Sequence, residues 1–292
     1  MNKLASVFAV ILITLISSCA QKKGKDYVVT IKTNEGDMVA ILYDETPKHK
    51  ENFIKLAKEH YFDSMVFHRV ISGFMIQGGD PDSKKAKVGD QLGNGGPGYN
   101  VDAEFNPKFF HEKGALSAAR QGDQINPTKA SSGSQFYIVQ GTVIPEESIN
   151  DLRYDQMKLM TGLRQMIAKP ENQPLLDSLN QLYGSGDMAA YQQKLFSLVP
   201  RIEKETGTVV TKDLSPEKIK AYTTVGGTPH LDGEYTVFGK VIKGLEVIDK
   251  IASKQRDGAD RPLEDVRMFV TVEELPKSKI EKQYGYQYPE KK

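Results

Sequence analysis

The chain has 292 residues and a formal net charge of +1 at pH 7, with 39% hydrophobic and 26% charged residues. This length can hold one large or two modest domains, and the composition is ordinary for a globular protein. The near-neutral charge gives no electrostatic reason to expect nucleic acid or an anionic membrane surface as a partner.

Residues 1–18 predict a lipoprotein signal peptide. Lys3 provides the positive charge of the N-terminal region, and residues 4–16 form an apolar run that is too short to span a bilayer. The only cysteine, Cys19, follows an aliphatic residue and two serines, which resembles the lipobox of bacterial lipoproteins. Cys19 would then be lipidated and become the mature N-terminus. The alternative is an ordinary signal peptide that is cleaved after Ala20.

An anchored chain is expected in the bacterial cell envelope, facing the periplasm. The outer membrane is the preferred site of the anchor, although the sequence does not decide between membranes. Residues 19–26 predict a flexible tether. Since Cys19 is the only thiol, the sequence predicts no disulfide, no redox chemistry and no cysteine–zinc site.

The following segments alternate in the manner of short β-strands. Val28–Thr33 and Met38–Tyr43 flank a turn and predict a hairpin, and Thr46-Pro47 predicts the start of a helix. Many short strands with few helices favour an antiparallel sheet closed into a barrel. Further strands are predicted at 65–70, 74–77, 115–118, 135–139, 235–241 and 266–272, with a short helix at 245–252.

Residues 142–222 have a different pattern, with apolar residues at helical spacing. Pro170 interrupts the first helical run, and Ser215-Pro216 starts the last one. We expect a helical insertion, which costs little entropy because loop closure adds only about 0.6 kcal/mol per doubling of length. Residues 276–292 are polar and rich in tyrosine, and they predict a mobile C-terminal tail.

The run from Phe67 to Asp80 carries the strongest indication of chemistry. Arg69, Met75 and Gln77 share strand parity, although the turn at Ser72-Gly73 interrupts simple alternation. A guanidinium beside an apolar surface suits a polar amide that is attached to an apolar ring. A peptidyl-proline has this character.

This run resembles the active-site stretch of the cyclophilin family of peptidyl-prolyl isomerases. The resemblance covers residues 27–141 and 223–275 and implies an eight-stranded antiparallel barrel capped by two helices. It also implies an enzyme without a cofactor, which rotates X–Pro bonds in unfolded or maturing polypeptides. Four more strings match in the family's order, namely Gly98-Tyr99 with 102–105, then 114–119, 133–138, and 231–233 followed by 237–241.

The resemblance also implies the roles of individual residues. Arg69 matches the catalytic arginine that bonds to the prolyl amide, and Gln77 matches the amide that orients the substrate backbone and the arginine. Other positions match the substrate-binding surface, namely Phe74, Met75, Ala119, Arg120, Gln135, Tyr137, His230, Leu231 and Tyr235.

Four of these positions depart from common family members. Tyr137 replaces phenylalanine at the pocket floor, so its hydroxyl must find a partner or reach solvent. Arg120 replaces asparagine, where contact through the main chain would tolerate the change. His230 stands where some members have tryptophan, which argues against inhibition by cyclosporin. Tyr235 stands where many members have histidine, and we expect activity to be retained.

Other chemistry is poorly supported. Residues 93–98 are glycine-rich but lack the ending of a phosphate loop, and the five histidines show no metal-ligand spacing. Ser134 has no partner pattern for a hydrolase. Two rival functions stay open: a peptide-binding chaperone with little turnover, and an envelope assembly factor that works through the insertion. The insertion could overhang the proline site or be a scaffold without substrate contact, and the oligomeric state is undetermined.

Overall fold

The computed structural model describes residues 24–87, 89–212 and 214–289, without the side chains of Asn150 and Asp151. The predicted signal peptide and Cys19 lie outside these residues. The chain divides into two compact units. The described part of the first comprises residues 24–87, 89–142 and 226–289, and the second is Val143–Val225, described except for residue 213.

The strands follow the predicted order along the chain. Those of the described residues are β1 (Lys25–Thr33), β2 (Gly36–Leu42), β3 (Arg69–Ile71), β4 (Met75–Gly78), β5 (Asn100–Val101), β6 (Ala115–Ala118), β7 (Ser131–Ser132), β8 (Phe136–Val139), β9 (Val237–Lys243) and β10 (Met268–Pro276).

The helices of the described residues belong to both units, and two of them start at a proline. They are α1 (Pro47–Lys58), α2 (Ile149–Arg153), α3 (Gln156–Ile167), α4 (Gln173–Gly184), α5 (Met188–Ser197), α6 (Val199–Thr206), α7 (Pro216–Thr224), α8 (Leu245–Ala252) and α9 (Lys277–Tyr284). In this part of the chain, no helix is both long enough and apolar enough to cross a membrane.

The first unit contains an eight-stranded sheet in the order β10-β1-β2-β9-β6-β8-β4-β3. Its neighbouring strands all run antiparallel, as predicted. The described residues contain no ladder between the terminal strands β10 and β3, so closure into a barrel stays a prediction. β5 and β7 form a separate two-stranded ladder.

The predicted capping helices α1 and α8 bury their apolar faces against the inner side of this sheet. Phe53 of α1 stacks on Phe62 and meets Phe136 of β8 edge to face. Ile248 and Ile251 of α8 are fully buried in the same core. Apolar residues at helical spacing on both helices explain this burial, because each helix presents one stripe to the sheet.

The described parts of the predicted tether and tail, residues 24–26 and 276–289, have more structure than the sequence predicts. β1 already begins at Lys25, and the buried carboxylate of Asp26 accepts hydrogen bonds from Lys50 Nζ at 2.6 Å and from the Tyr288 hydroxyl at 3.1 Å. At the other end, α9 buries Ile280 completely. The tail is polar in composition, but its tyrosines pack against the outer face of the sheet, so the expected mobility does not fit residues 277–288.

The second unit is helical, as predicted, and has its own apolar core. Leu159 and Met166 of α3 are fully buried there, together with Ile202 of α6. The predicted first run is divided at Tyr154-Asp155, because the Asp155 carboxylate caps α3 by accepting from the Lys158 amide. The core also contains Leu163, Leu179, Leu195, Leu198, Val199 and Val210.

Candidate active site

A line of three polar side chains crosses the end of the sheet formed by β3 and β4. Arg69 and Gln77 are direct partners in the β3–β4 register, which places their side chains side by side. Arg69 Nη1 donates to Gln77 Oε1 at 3.4 Å, and Gln77 Nε2 donates to Gln135 Oε1 at 3.0 Å. The Arg69 side chain is 42% exposed, so its remaining donors can reach a bound peptide.

Gln135 is fixed from its other side by the glycine-rich segment. Its Nε2 donates to the carbonyls of Gly93 at 2.9 Å and Gly95 at 2.8 Å. Asp80 in turn accepts from the amides of both glycines. The glycine-rich segment therefore shapes the site through its backbone, a role that sequence reasoning missed when it tested this segment only as a phosphate loop.

A polar cavity of about 540 Å³ opens beside this line. Gln77, Ala119, Arg120 and Gln135 from the predicted site contribute to its wall. Amides and carbonyls dominate the rest, so the cavity suits the backbone and small side chains of an extended peptide. The remaining lining residues are Gly93, Asn94, Gly95, Gly96, Gly98, Tyr99, Asn100, Gln121, Asn126, Ala130 and Ser132.

The predicted apolar residues form one cluster on the outer face of the sheet. Met75, Tyr137, Leu231 and Ala119 are buried in it, with Phe74 and Tyr235 partly exposed at its edge. The ring of His230 stacks on that of Phe74 with centroids 5.6 Å apart. Tyr137 is the β4–β8 register partner of Gln77, which joins this cluster to the polar line.

The hydroxyl of Tyr137 finds a buried partner. His111 Nε2 lies 2.9 Å from this hydroxyl, and His111 Nδ1 lies 3.0 Å from Asp232 Oδ1. Burial raises the pKa of Tyr137 well above its usual value, so the phenol stays protonated. Neither His111 nor Asp232 was among the predicted site residues, and only their three-dimensional neighbourhood identifies them.

The side chain of Arg120 turns back onto the protein and is 5% exposed. Its Nε donates to the Glu234 carbonyl at 2.8 Å, and its guanidinium lies 4.5 Å from the centre of the Tyr235 ring. The position lines the cavity, as its predicted role requires. The charged group itself packs on the ring of Tyr235.

Arg69 carries a positive charge at the site, whereas its neighbour His68 is neutral. Burial lowers the pKa of His68 to about 4, and neither of its ring nitrogens has a hydrogen-bond partner among the described residues. Asp260 Oδ2 lies 3.9 Å from Arg69 Nε, a long and partly exposed ion pair that leaves the guanidinium fork available. In the described ranges, no cluster of three or more His, Cys, Asp or Glu residues could hold a metal ion.

An arginine-amide line thus lies next to an apolar cluster on the outer face of an antiparallel sheet, which is the arrangement expected for a cyclophilin-like site. The family described as "Cyclophilin type peptidyl-prolyl cis-trans isomerase/CLD" matches residues 28–154 and 203–272. The chain belongs to this family.

Curated relatives give the same assignment. A putative peptidyl-prolyl cis-trans isomerase of Staphylococcus saprophyticus is 32% identical over 248 residues, which cover 83% of this chain and 89% of the relative. A Staphylococcus haemolyticus protein of the same description is 33% identical and covers 82% and 86%. The match of 248 residues is longer than segments 27–141 and 223–275 together, so it includes part of the insertion.

A Streptococcus pyogenes relative is described as a putative bifunctional phosphatase/peptidyl-prolyl cis-trans isomerase. It is 34% identical over 84% of this chain, and the match spans only 38% of that longer protein. Among solved structures, a Cryptosporidium parvum cyclophilin-type isomerase crystallised in the presence of the dipeptide Ala-Pro is 20% identical. It has a TM-score of 0.46 and covers 84% of this chain and 98% of its own.

Proposed function

We propose that this chain is a peptidyl-prolyl cis-trans isomerase whose active centre is Arg69, with Gln77 as its orienting partner. Family membership supports the reaction, and the hydrogen-bonded line from Arg69 through Gln77 to Gln135 is the observation that carries the assignment. The substrates are proline-containing segments of unfolded or maturing polypeptides.

The reaction needs no covalent step. Rotation about an X–Pro bond breaks amide resonance, with a barrier of roughly 18–20 kcal/mol. In the twisted amide the nitrogen regains its lone pair, and a donor from Arg69 aimed at this nitrogen stabilises the twisted form more than the planar one. Each tenfold acceleration requires about 1.4 kcal/mol of such selective stabilisation, which a few preorganised donors in an apolar pocket can supply.

The remaining predicted residues hold the substrate while the bond rotates. Phe74, Met75 and Leu231 surround the prolyl ring, and Tyr137 forms the floor beneath it. Ala119 and Gln135 border the polar cavity, where the peptide backbone would lie. This separation lets the ring stay fixed while the preceding residue turns.

A prolyl-isomerisation assay on a form of the chain that starts at Gln21 tests this proposal, beside its Arg69→Ala variant. We expect rapid turnover that falls by two orders of magnitude or more, about 3 kcal/mol, in the variant. Arg164→Ala, an exposed arginine of α3, is the matched control. If the unaltered protein binds proline peptides without accelerating rotation, the chaperone or assembly function replaces the enzyme.

We further propose that Cys19 is lipidated and holds the enzyme in the bacterial envelope, with the outer membrane preferred. The support is the sequence of residues 1–19 alone. A palmitate probe supplied to bacteria that express the full chain should label the protein, and Cys19→Ser should abolish the label and release the protein from the membrane fraction. Labelling that persists in Cys19→Ser would contradict this proposal.

Closure of the sheet into a barrel is also proposed. The support is an isolated antiparallel bridge between Val66 and Arg267, just before β3 and β10. The Phe67 amide donates to the Val266 carbonyl at 3.0 Å, and the Met268 amide donates to the Met65 carbonyl at 2.8 Å. Hydrogen exchange at these two amides should be as slow as in the central strands, whereas rapid exchange would indicate an open edge.

A further inference from the structure

Tyr137, His111 and Asp232 form a hydrogen-bonded triad, in which the two rings are buried and the Asp232 side chain is 17% exposed. The Asp232 carboxylate accepts from the His111 backbone amide at 2.9 Å and lies 3.0 Å from its Nδ1. The Tyr137 hydroxyl lies 2.9 Å from Nε2 of the same ring. His111 is fully buried, and Tyr137 is 4% exposed.

The donors and acceptors of the three side chains indicate where their protons lie. Asp232 Oδ1 is an acceptor, so His111 Nδ1 is the donor of this pair. When Nε2 carries no proton it is an acceptor, and the Tyr137 hydroxyl donates to it. The polar end of Tyr137 is therefore occupied by His111, and the rest of its ring offers an apolar surface to a prolyl ring.

The hydrogen bond between His111 and Tyr137 also restricts the orientation of the Tyr137 ring. The Tyr137 ring stands at 82° to that of Tyr235, with centroids 5.9 Å apart, and His111 meets Tyr235 at 85°. A strand position fixes the Cα atom of Tyr137, but the rotation of its ring depends on contacts beyond the backbone. The bond to His111 supplies such a contact at the far end of the ring.

Asp232 also joins the floor to the pocket wall. It follows the short 3-10 helix Pro229–Leu231, which carries two predicted pocket residues, His230 and Leu231. The Thr228 amide at the start of this helix donates to the His111 carbonyl at 2.8 Å. His111 thus contacts both Tyr137 and the segment that carries His230 and Leu231.

We propose that His111, oriented by Asp232, is a positioning residue of the proline pocket, which holds Tyr137 in place and so sets the affinity for the prolyl ring. This inference rests on the proposed function, because it assumes that the pocket receives proline. It predicts an effect on substrate binding rather than on bond rotation, since His111 is hydrogen-bonded to neither Arg69 nor Gln77 in the structure.

A double-mutant cycle between His111 and Tyr137 tests the proposal. His111→Leu should raise KM for a proline peptide about tenfold, or about 1.4 kcal/mol, with kcat within about twofold. In a Tyr137→Phe background the same substitution should change KM by less than about twofold, because the hydroxyl it would release is absent. Equal changes in KM in both backgrounds would overturn the proposal.

Two isosteres keep the test valid if His111→Leu fails to fold. His111→Gln retains an acceptor that can reach the Tyr137 hydroxyl, whereas His111→Asn retains only the contact on the Asp232 side. We expect His111→Gln to restore most of the affinity and His111→Asn to restore little. The opposite order would show that the bond to Tyr137 is not the contact that matters.

A binding measurement distinguishes failure of this inference from failure of the proposed function. The affinity of a non-reacting proline peptide can be measured by calorimetry, and the Tyr137 ring can be followed by its ¹³Cζ resonance in tyrosine-labelled protein. If the protein shows no turnover, the enzyme assignment fails while these two readings still test His111. If turnover is normal and His111→Leu leaves both readings unchanged, only the positioning role is lost.

Discussion

The two sides of the pocket are stabilised in different ways. On one side, Arg69, Gln77 and Gln135 keep the family's residue types, and their hydrogen bonds run toward the substrate surface. On the other side, Tyr137 and Tyr235 depart from common members, and each is held from behind by His111 or Arg120. Under the proposed function, the first side would supply the chemistry and the second would supply the shape of the substrate-binding surface.

Arg69→Lys should produce the largest effect of any conservative change at the site. Lysine keeps the charge but loses the planar fork that can bond to Gln77 and the prolyl nitrogen together. We expect kcat/KM to fall about a hundredfold, or about 2.7 kcal/mol, with the melting temperature unchanged. Steady-state kinetics on a proline peptide would check this. Full activity in Arg69→Lys would mean that charge alone is enough.

Gln135→Leu should have the next largest effect, because it removes the partner of Gln77 and leaves the Gly93 and Gly95 carbonyls without their donor. We expect kcat/KM to fall about tenfold and unfolding to become easier by about 1–2 kcal/mol. Kinetics and urea denaturation measure the two effects. Gln165→Leu, at an exposed position of α3, is the control and should change neither.

Arg120→Ala should change the shape of the substrate-binding surface without affecting bond rotation. Removing the guanidinium takes away the contact with the Tyr235 ring and the bond to the Glu234 carbonyl. We expect KM to rise about fivefold, in line with about 1 kcal/mol for a cation–π contact with a partly exposed ring, while kcat stays the same. Arg120→Lys should recover part of the affinity. A fall in kcat without a change in KM would place Arg120 on the chemical side instead.

Replacing His68 should have the smallest effect on activity but a measurable effect on stability. Its pKa is about 4 in the folded chain, because of burial, and about 6.5 when unfolded. The unfolded state therefore binds the extra proton first, and stability falls as the pH decreases from about 6.5 to about 4.

His68→Leu should make stability less dependent on pH over this interval, by roughly 3 kcal/mol at most. Urea denaturation at about pH 7 and about pH 4.5 would measure the change. Kinetics at pH 7 should differ little from the unaltered chain, because a neutral His68 contributes no charge beside Arg69. An unchanged pH dependence in the variant would contradict the buried neutral state.

The sequence predicted the strands of the antiparallel sheet and the proximity of Arg69 and Gln77. Strand periodicity located the eight strands, and the predicted helix at 245–252 coincides with α8. Arg69 and Gln77 are eight positions apart and pair across one hairpin, so local pattern was enough to associate them. Their roles in catalysis stay predictions until they are measured.

The shape-giving contacts could not be predicted in this way. His111 is 26 positions from Tyr137 and 121 positions from Asp232 in the sequence. Contacts between residues so far apart depend on how several strands come into register. The packing of the tyrosine-rich end was missed for a similar reason, because its partners Val28, Val39 and Ile41 lie at the opposite end of the chain. Whether the insertion approaches substrate also stays a prediction.

Exchange spectroscopy on an isotope-labelled Ala-Pro peptide tests the central claim most directly, because it measures cis–trans exchange and binding in one sample. With a small amount of protein, exchange should be far faster than the uncatalysed process, which takes tens to hundreds of seconds. With Arg69→Ala, the peptide should still bind but exchange at close to the uncatalysed rate. Equal exchange rates for the two proteins would contradict an active centre at Arg69.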